Sequence, residues 1–192
     1  MISALAYITI ILTGLQFLVA LINLITRNWL TDTMTESSKL VSVLIPARNE
    51  ENNISNILND LLKQYYKDIE VIVCNDQSED NTESIVKEFA ARDGRIKLIN
   101  SAGPAEGWTG KNYACYLLSK QAKGEYLLFL DADVRLRGQI ITNAVVSVDK
   151  NGLGLISIFP MQIIKSFGER ITVPNMNYIL LSLLPLLLSL LS

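Results

Sequence analysis

The sequence predicts an α/β fold, a parallel β-sheet whose strands are joined by helical crossovers, carried behind an N-terminal membrane helix. Three observations predict it. Short apolar runs recur at Leu40–Ile45, Ile69–Cys74, Ile96–Ile99 and Tyr126–Leu130. Segments of helical period separate them. Each run ends in a polar loop rather than in a two-residue hairpin turn. Alternation of this kind marks βαβ units and a Rossmann-like sheet.

From Ile2 to Thr26 there is no charged residue, and at 1.5 Å per residue that stretch is long enough to cross a hydrocarbon core of about 30 Å. Arg27 and Trp29 pair a cation with an aromatic ring, as at a membrane interface. This gives an anchor over residues 1–27 and a polar linker over 28–39, with Arg27 and Lys39 placing the domain after them on the cytoplasmic side. Leu40–Ile45 reads as a buried strand stopped by Pro46, which cannot extend a ladder. Asn49–Tyr65 reads as a helix with Ile54, Ile57, Leu58, Leu61 and Leu62 on one face. Strand Ile69–Cys74 leads through Asn75–Glu79 into a helix whose start resembles a capping box, Asp80 with Glu83, and which Gly94 closes.

After a strand over Ile96–Ile99, Ser101–Gly110 holds three glycines and a proline and reads as a loop. Lys111–Ala122 is helical, and the next apolar run, from Tyr126 towards Val134, reads as a strand buried on both faces. A helix over Arg137–Val148 and a strand over Leu153–Phe159 complete the domain, residues 40–160. Residues 161–177 interleave Lys165, Glu169 and Arg170 with apolar side chains, as an interfacial segment would. Residues 178–192 are uncharged and Leu-rich, the start of a second membrane helix, so the chain reads as an N-terminal fragment.

Composition removes whole classes of chemistry. The chain of 192 residues contains no histidine, so Ser-His-Asp and Cys-His catalysis, His-ligated zinc and His general bases are excluded. Seventeen Lys and Arg against nineteen Asp and Glu give no basic excess for binding nucleic acid. Cys74 and Cys115 have neither metal-ligand nor disulfide spacing and read as buried thiols. No G-x-G-x-x-G follows the first strand, and Ala105–Asn112 departs from a P-loop at both its first and last positions.

The strand-end loops carry the chemistry. They are Pro46-Ala47-Arg48-Asn49-Glu50-Glu51, Asn75-Asp76-Gln77-Ser78, the Gly-rich loop ending at Lys111, and Asp131-Ala132-Asp133. Parallel sheets keep their ligands at the carboxyl ends of strands, so these loops converge on one nucleotide-sized crevice. Asp131 and Asp133 leave the same face if strand geometry persists, and an oxygen-only pair suits a hard ion such as Mg2+ or Mn2+. For that stretch alone, a solvated turn is the alternative.

The ordered set Val41–Glu51, Asn75–Thr82 and Asp131-Ala132-Asp133 resembles the family-2 inverting glycosyltransferases, with their GT-A nucleotide-sugar-binding fold, over roughly Leu40–Phe159. Gly107-Trp108-Thr109-Gly110-Lys111, with Phe159-Pro160-Met161-Gln162 and the membrane helices, is similar to the branch that glycosylates lipids, including hopanoid-associated and carotenoid-type (diaponeurosporenoate) enzymes. The resemblance implies a donor site of Pro46, Ala47, Arg48, Glu50, Asp76, Lys111 and Asp131, with Asp76 accepting from the uracil imide. Many relatives carry Tyr at the position of Arg48. It implies a divalent metal on Asp131 and Asp133, a UDP-sugar donor, and a lipid acceptor, either terpenoid, carotenoid or hopanoid, or polyprenyl phosphate. The family's acidic catalytic base has no match, and the base is expected beyond Ser192. The chain by itself is accordingly expected to transfer little sugar. Two other readings stand beside this one: a non-catalytic membrane-anchored nucleotide binder, and a nucleotidyltransferase, which would want a glycine-rich loop where Pro46–Glu51 has none.

Overall fold

The computed structural model describes residues 2–26 and 38–184. The Arg27/Trp29 pairing, most of the linker and the last eight residues of the Leu-rich tail lie outside the described residues. The chain forms two compact units, one over residues 30–156 and the other from the two ends, 1–29 with 157–192.

The larger unit is the predicted parallel sheet. Strands β1 (Val41–Ala47), β2 (Ile69–Asn75), β3 (Ile96–Asn100) and β4 (Tyr126–Phe129) lie in the order β3-β2-β1-β4, and every neighbouring pair is parallel. β2 is buried along its whole length, as a central strand without alternation should be. The smaller unit holds α1 (Ile2–Ile25) and α6 (Phe167–Leu183); between them in the chain come α2 (Ile54–Leu62), α3 (Thr82–Arg92), α4 (Gly110–Gln121) and α5 (Ile140–Asn151). On one face of the sheet, Val43, Ile45, Val71 and Val73 pack against Ile54, Ile57, Leu58 and Leu61 of α2, Val86 of α3 and Ile141 and Val145 of α5. On the other, Leu44, Ile72 and Cys74 pack against Ala114 and Leu118 of α4. Burial there pushes the Cys74 thiol up to about 11, leaving it inert.

The structure departs from the sequence pattern at several elements. Pro46 does not stop β1, which stays paired with β2 through Pro46↔Cys74 and Ala47↔Asn75. The reason is direction. Leu44 accepts from the Leu130 N–H on the β4 side, and residues two apart point the same way. The N–H that Pro46 lacks would therefore face β4, whose ladder has already ended. α2 starts at Ile54 rather than Asn49, because Asn49 sits at φ 56° and cannot enter a right-handed helix. Asp80 does not form a capping box with Glu83: it accepts from the Thr82 N–H, whereas Glu83 pairs with Lys87 and accepts from Asn100. β4 is not buried on both faces, and it ends before the carboxylates. Leu127 and Phe129 are each 46% exposed, because they share the Ser42/Leu44 face, where α4 covers β1 and β2 only. Leu153–Phe159 forms no strand, and Leu155 is exposed.

In the other unit, α1 is the one helix among the described residues long and apolar enough to cross a membrane, with a mean hydropathy of 2.3. α6 runs continuously across the boundary expected at residues 177/178 and carries Pro174 inside it. Its start is a true capping box. Ser166 Oγ accepts from the Glu169 N–H, and Glu169 accepts from the Ser166 N–H. That explains the late carboxylate Glu169 as structural. At the other end, Asn23 Nδ2 of α1 donates to Leu181 O and Leu184 O at 2.7 Å, meeting carbonyls a helix end leaves unpaired.

At the amino ends of the strands a buried polar knot ties three strands together. Glu70, 6% exposed, accepts from Ser42 Oγ at 2.6 Å, from the Lys123 N–H at 2.6 Å and from Lys97 Nζ at 2.8 Å. Burial pushes its pKa up, but these donors outweigh burial and hold it at about 2. Gly124 donates to Ser42 Oγ, and a Cβ there would lie 2.5 Å from Ser42 N and 2.8 Å from Leu40 O. Gly124→Ala should therefore cost about 1–3 kcal/mol through overpacking against backbone, read as a lowered unfolding midpoint by circular dichroism in detergent. Because the folded pKa of Glu70 lies below the ordinary 4.5, the knot stabilises above pH 4.5 and loses that contribution as pH falls towards 2. Glu70→Gln should flatten the stability loss in that window, measured by denaturation at stepped pH.

Candidate functional site

Strand order makes the site. β1, β2 and β3 are laid down in one direction and β4 returns to the other side of β1, so the chain reverses between β1 and β4. Crossover loops leave such a point in opposite directions and open a crevice there. The crevice is a cavity of about 370 Å³ lined by Pro46, Ala47, Arg48, Glu50, Asp76, Gly110, Lys111, Ala114, Asp131, Ala132 and Asp133. All eight residues singled out in the sequence lie along it.

Each wall is positioned by a local device. The first two loops are laced together. Asn49 N–H donates to Ser78 Oγ, Glu79 N–H to Asn49 Oδ1, Glu50 N–H to Thr82 Oγ1, Glu51 N–H to Asp80 Oδ2, and Asn81 N–H to Glu51 Oε2, all between 2.8 and 3.1 Å. Asn49 and Gln77 both adopt φ 56°, a conformation Asn tolerates and Gln takes only when its surroundings impose it. Glu50 lines the cavity while its Oε2 accepts from Asn53, so part of its role is bracing. Asp76 is held by its N–H donating to Ala47 O at 2.8 Å. It is 5% exposed, and its buried Oδ1 has no hydrogen-bond donor. An acceptor so placed costs about 1–3 kcal/mol until a donor arrives, which fits an arriving N–H. A Cβ on Gly110 would lie 2.8 Å from Asp76 Oδ2, so only glycine lets α4 begin this close to the floor.

On the opposite wall, Asp131-Ala132-Asp133 is a turn beyond β4, with Val134 N–H donating to Asp131 O at 3.2 Å. Ala132 is buried in the core at 3% exposure, and the carboxylates on either side stay exposed along the cavity. A turn thus achieves what continuing strand geometry was expected to do. Lys111 Nζ lies 2.6 Å from Asp131 Oδ1, and this partner raises the lysine above its ordinary range. Among the described residues no group of three or more His, Cys, Asp or Glu is gathered as a metal site. Two carboxylates fit an ion that takes its remaining oxygens from a ligand and water, as Mg2+ and Mn2+ do beside phosphates.

Two supports escaped the sequence reading. Asp60 of α2, 8% exposed, accepts from Arg135 Nε at 2.6 Å and Nη2 at 3.0 Å, and from the Leu136 N–H at 3.2 Å. This fork holds the segment just after Asp133 against the core. Its signal was present: an acidic residue inside the Ile57/Leu61 stripe implies a buried partner. The other is a cluster of Trp108, Tyr113 and Tyr116, with Trp108 and Tyr116 ring centroids 5.2 Å apart. It stands beside Gly110 and Lys111 at the start of α4.

Comparison with known proteins agrees with this geometry. The chain is 34% identical over 139 residues to a 4,4'-diaponeurosporenoate glycosyltransferase of Staphylococcus haemolyticus, covering 71% of this chain and 36% of that protein. The Staphylococcus aureus protein of the same name (strain N315) is 32% identical over 142 residues, covering 72% and 36%. The chain thus spans about a third of these relatives' length. Among solved structures, a mannosyltransferase, PcManGT, from Pyrobaculum calidifontis in complex with GDP-Man and Mn2+ superposes with a TM-score of 0.58 at 24% identity, over 74% of this chain and 43% of that one. S. aureus TarS superposes with a TM-score of 0.51 at 25% identity, over 66% and 24%. The sequence profile of Glycosyl transferase family 2 matches residues 42–186. With the parallel sheet, the switch-point crevice and its motif residues in place, the chain belongs to glycosyl transferase family 2.

Proposed function

We propose that the chain is the donor-binding half of a membrane-anchored, inverting glycosyltransferase that takes a UDP-sugar and a divalent ion and serves a lipid acceptor. One observation carries this reading. The unsatisfied Asp76 Oδ1 and the Asp131/Asp133 pair line a single cavity whose other walls are Pro46, Ala47, Arg48, Glu50 and Lys111. A nucleoside diphosphate needs an N–H acceptor for its base and cationic neutralisation for its diphosphate. This crevice offers the first at Asp76 and the second at Lys111 and at an ion that Asp131 and Asp133 would hold.

In this assignment Asp76 accepts from the uracil imide, and Pro46, Ala47 and Arg48 flank base and ribose. Asp131 lies by the ribose and shares the ion with Asp133, and Lys111 serves the diphosphate. The ion, when bound, neutralises charge developing on the departing nucleoside diphosphate. Asp131 and Asp133 would hold that ion, and the Asp60–Arg135 fork keeps their turn from swinging away. None of these residues is given the acceptor hydroxyl's proton.

The lipid acceptor is supported by the names of the staphylococcal relatives and by α1. It is of terpenoid, carotenoid or hopanoid type, with polyprenyl phosphate as the variant. The same helix supports a cell-membrane location, and Arg27 with Lys39 favours placing residues 40–160 on the cytoplasmic side.

Calorimetric titration of the full chain in detergent with UDP and Mn2+ tests the donor site. Wild type should bind UDP more tightly with Mn2+ than without. Asp133→Ala should abolish the metal dependence, and Asp76→Ala should weaken UDP about tenfold to a hundredfold, the value of a hydrogen bond to a charged acceptor. Wild type with no affinity for UDP in either condition refutes the proposal. This chain alone should pass little radiolabelled sugar to a lipid extract, since none of its residues is given the acceptor hydroxyl's proton.

A further inference from the structure

We infer that Lys111 is an exchange residue: it neutralises Asp131 in the empty cleft and crosses to the diphosphate on loading, so that ion and nucleotide bind as one unit. The inference rests on the donor-site reading above and adds to it an order of binding.

The geometry has three parts. Lys111 Nζ occupies Asp131 Oδ1 at 2.6 Å, the oxygen an ion would need. Asp133 stands on the same cavity and acts on the same ammonium group from further away. No third His, Cys, Asp or Glu among the described residues joins the pair. An ion arriving alone therefore meets one open carboxylate, one occupied carboxylate and a like charge beside them.

Nothing in the packing holds Lys111 where it is. Its side chain is 64% exposed and that of Asp131 56%, and an ion pair so exposed is weak enough for a competing anion to break. Lys111 is the second residue of α4, whose N-terminal end lies along the cavity at Gly110. A diphosphate entering there offers the ammonium group a doubly charged partner and releases Asp131 to the ion. Each ligand then raises the affinity for the other by the same factor, as linkage requires.

The test uses the full chain in detergent, with free Mn2+ read by electron paramagnetic resonance, with and without saturating UDP. Wild type should bind Mn2+ weakly alone and at least tenfold more tightly with UDP. Lys111→Met removes the competitor, so Mn2+ alone should bind about threefold to tenfold more tightly than to wild type, the scale of one charge removed near a divalent ion in a wet cleft. Its gain from UDP should shrink correspondingly. Lys111→Arg keeps the competing charge, so it should hold Mn2+ alone no more tightly than wild type does. If Lys111→Met binds Mn2+ alone no better than wild type, while wild type still takes up Mn2+ with UDP, the exchange is wrong and the donor site stands. Tight Mn2+ binding by wild type without UDP also overturns the exchange. Wild type that binds neither UDP nor Mn2+ in its presence removes the donor site itself.

Discussion

The site depends on one constraint, the end of hydrogen bonding between β1 and β4. β1 is paired on both sides from Val41 to Leu44. Leu130 N–H makes the last bond to it, at Leu44 O, and the next residue facing that way, Pro46, has no N–H to offer. Beyond this point β1 continues against β2 alone, and the chain after β4 is free to turn. Ala132 drops into the core, Asp131 and Asp133 remain at the crevice, and Arg135 ties the exit to Asp60. A residue that carried an N–H at position 46 would remove one reason for the strands to part.

The fold was readable because parallel sheets write themselves plainly. Val41–Ala47 and Ile69–Asn75 are buried on both faces, so their sequences are almost unbroken apolar runs. The helices between them carry one apolar stripe each. What misled was information held by the neighbours. Pro46 looked like a terminator because sequence does not say which side of a strand is paired. Leu127 and Phe129 looked buried because nothing local records that α4 stops short of β4. Leu153–Phe159 has a strand's composition, and no pairing strand lies beside it among the described residues.

The site residues were readable for a different reason: polar loops at strand ends have few structural duties that would place so many carboxylates and cations together. The wall residues Asp76, Lys111, Asp131 and Asp133 follow that logic, and the cavity gathers them. Asp60 signals a buried partner by its place in the apolar stripe of α2, but Arg135 was missed because it lies 75 residues away and alone reads as an ordinary surface charge. Gly110 stood in a quoted motif, but its packing role escaped notice because the close approach to Asp76 depends on two elements far apart in sequence meeting at one end of the sheet.

The lacing between the first two loops has a consequence for how such a site can change. Asn49, Glu50 and Glu51 are each bound to a residue of Ser78–Thr82, and the lacing joins main chain to side chain in both directions. Neither loop has a conformation of its own to inherit. Drift in one is answerable only by drift in the other, so the pair behaves as a single heritable part. A chimaera built from two relatives would have to carry both segments across together to keep that wall of the crevice.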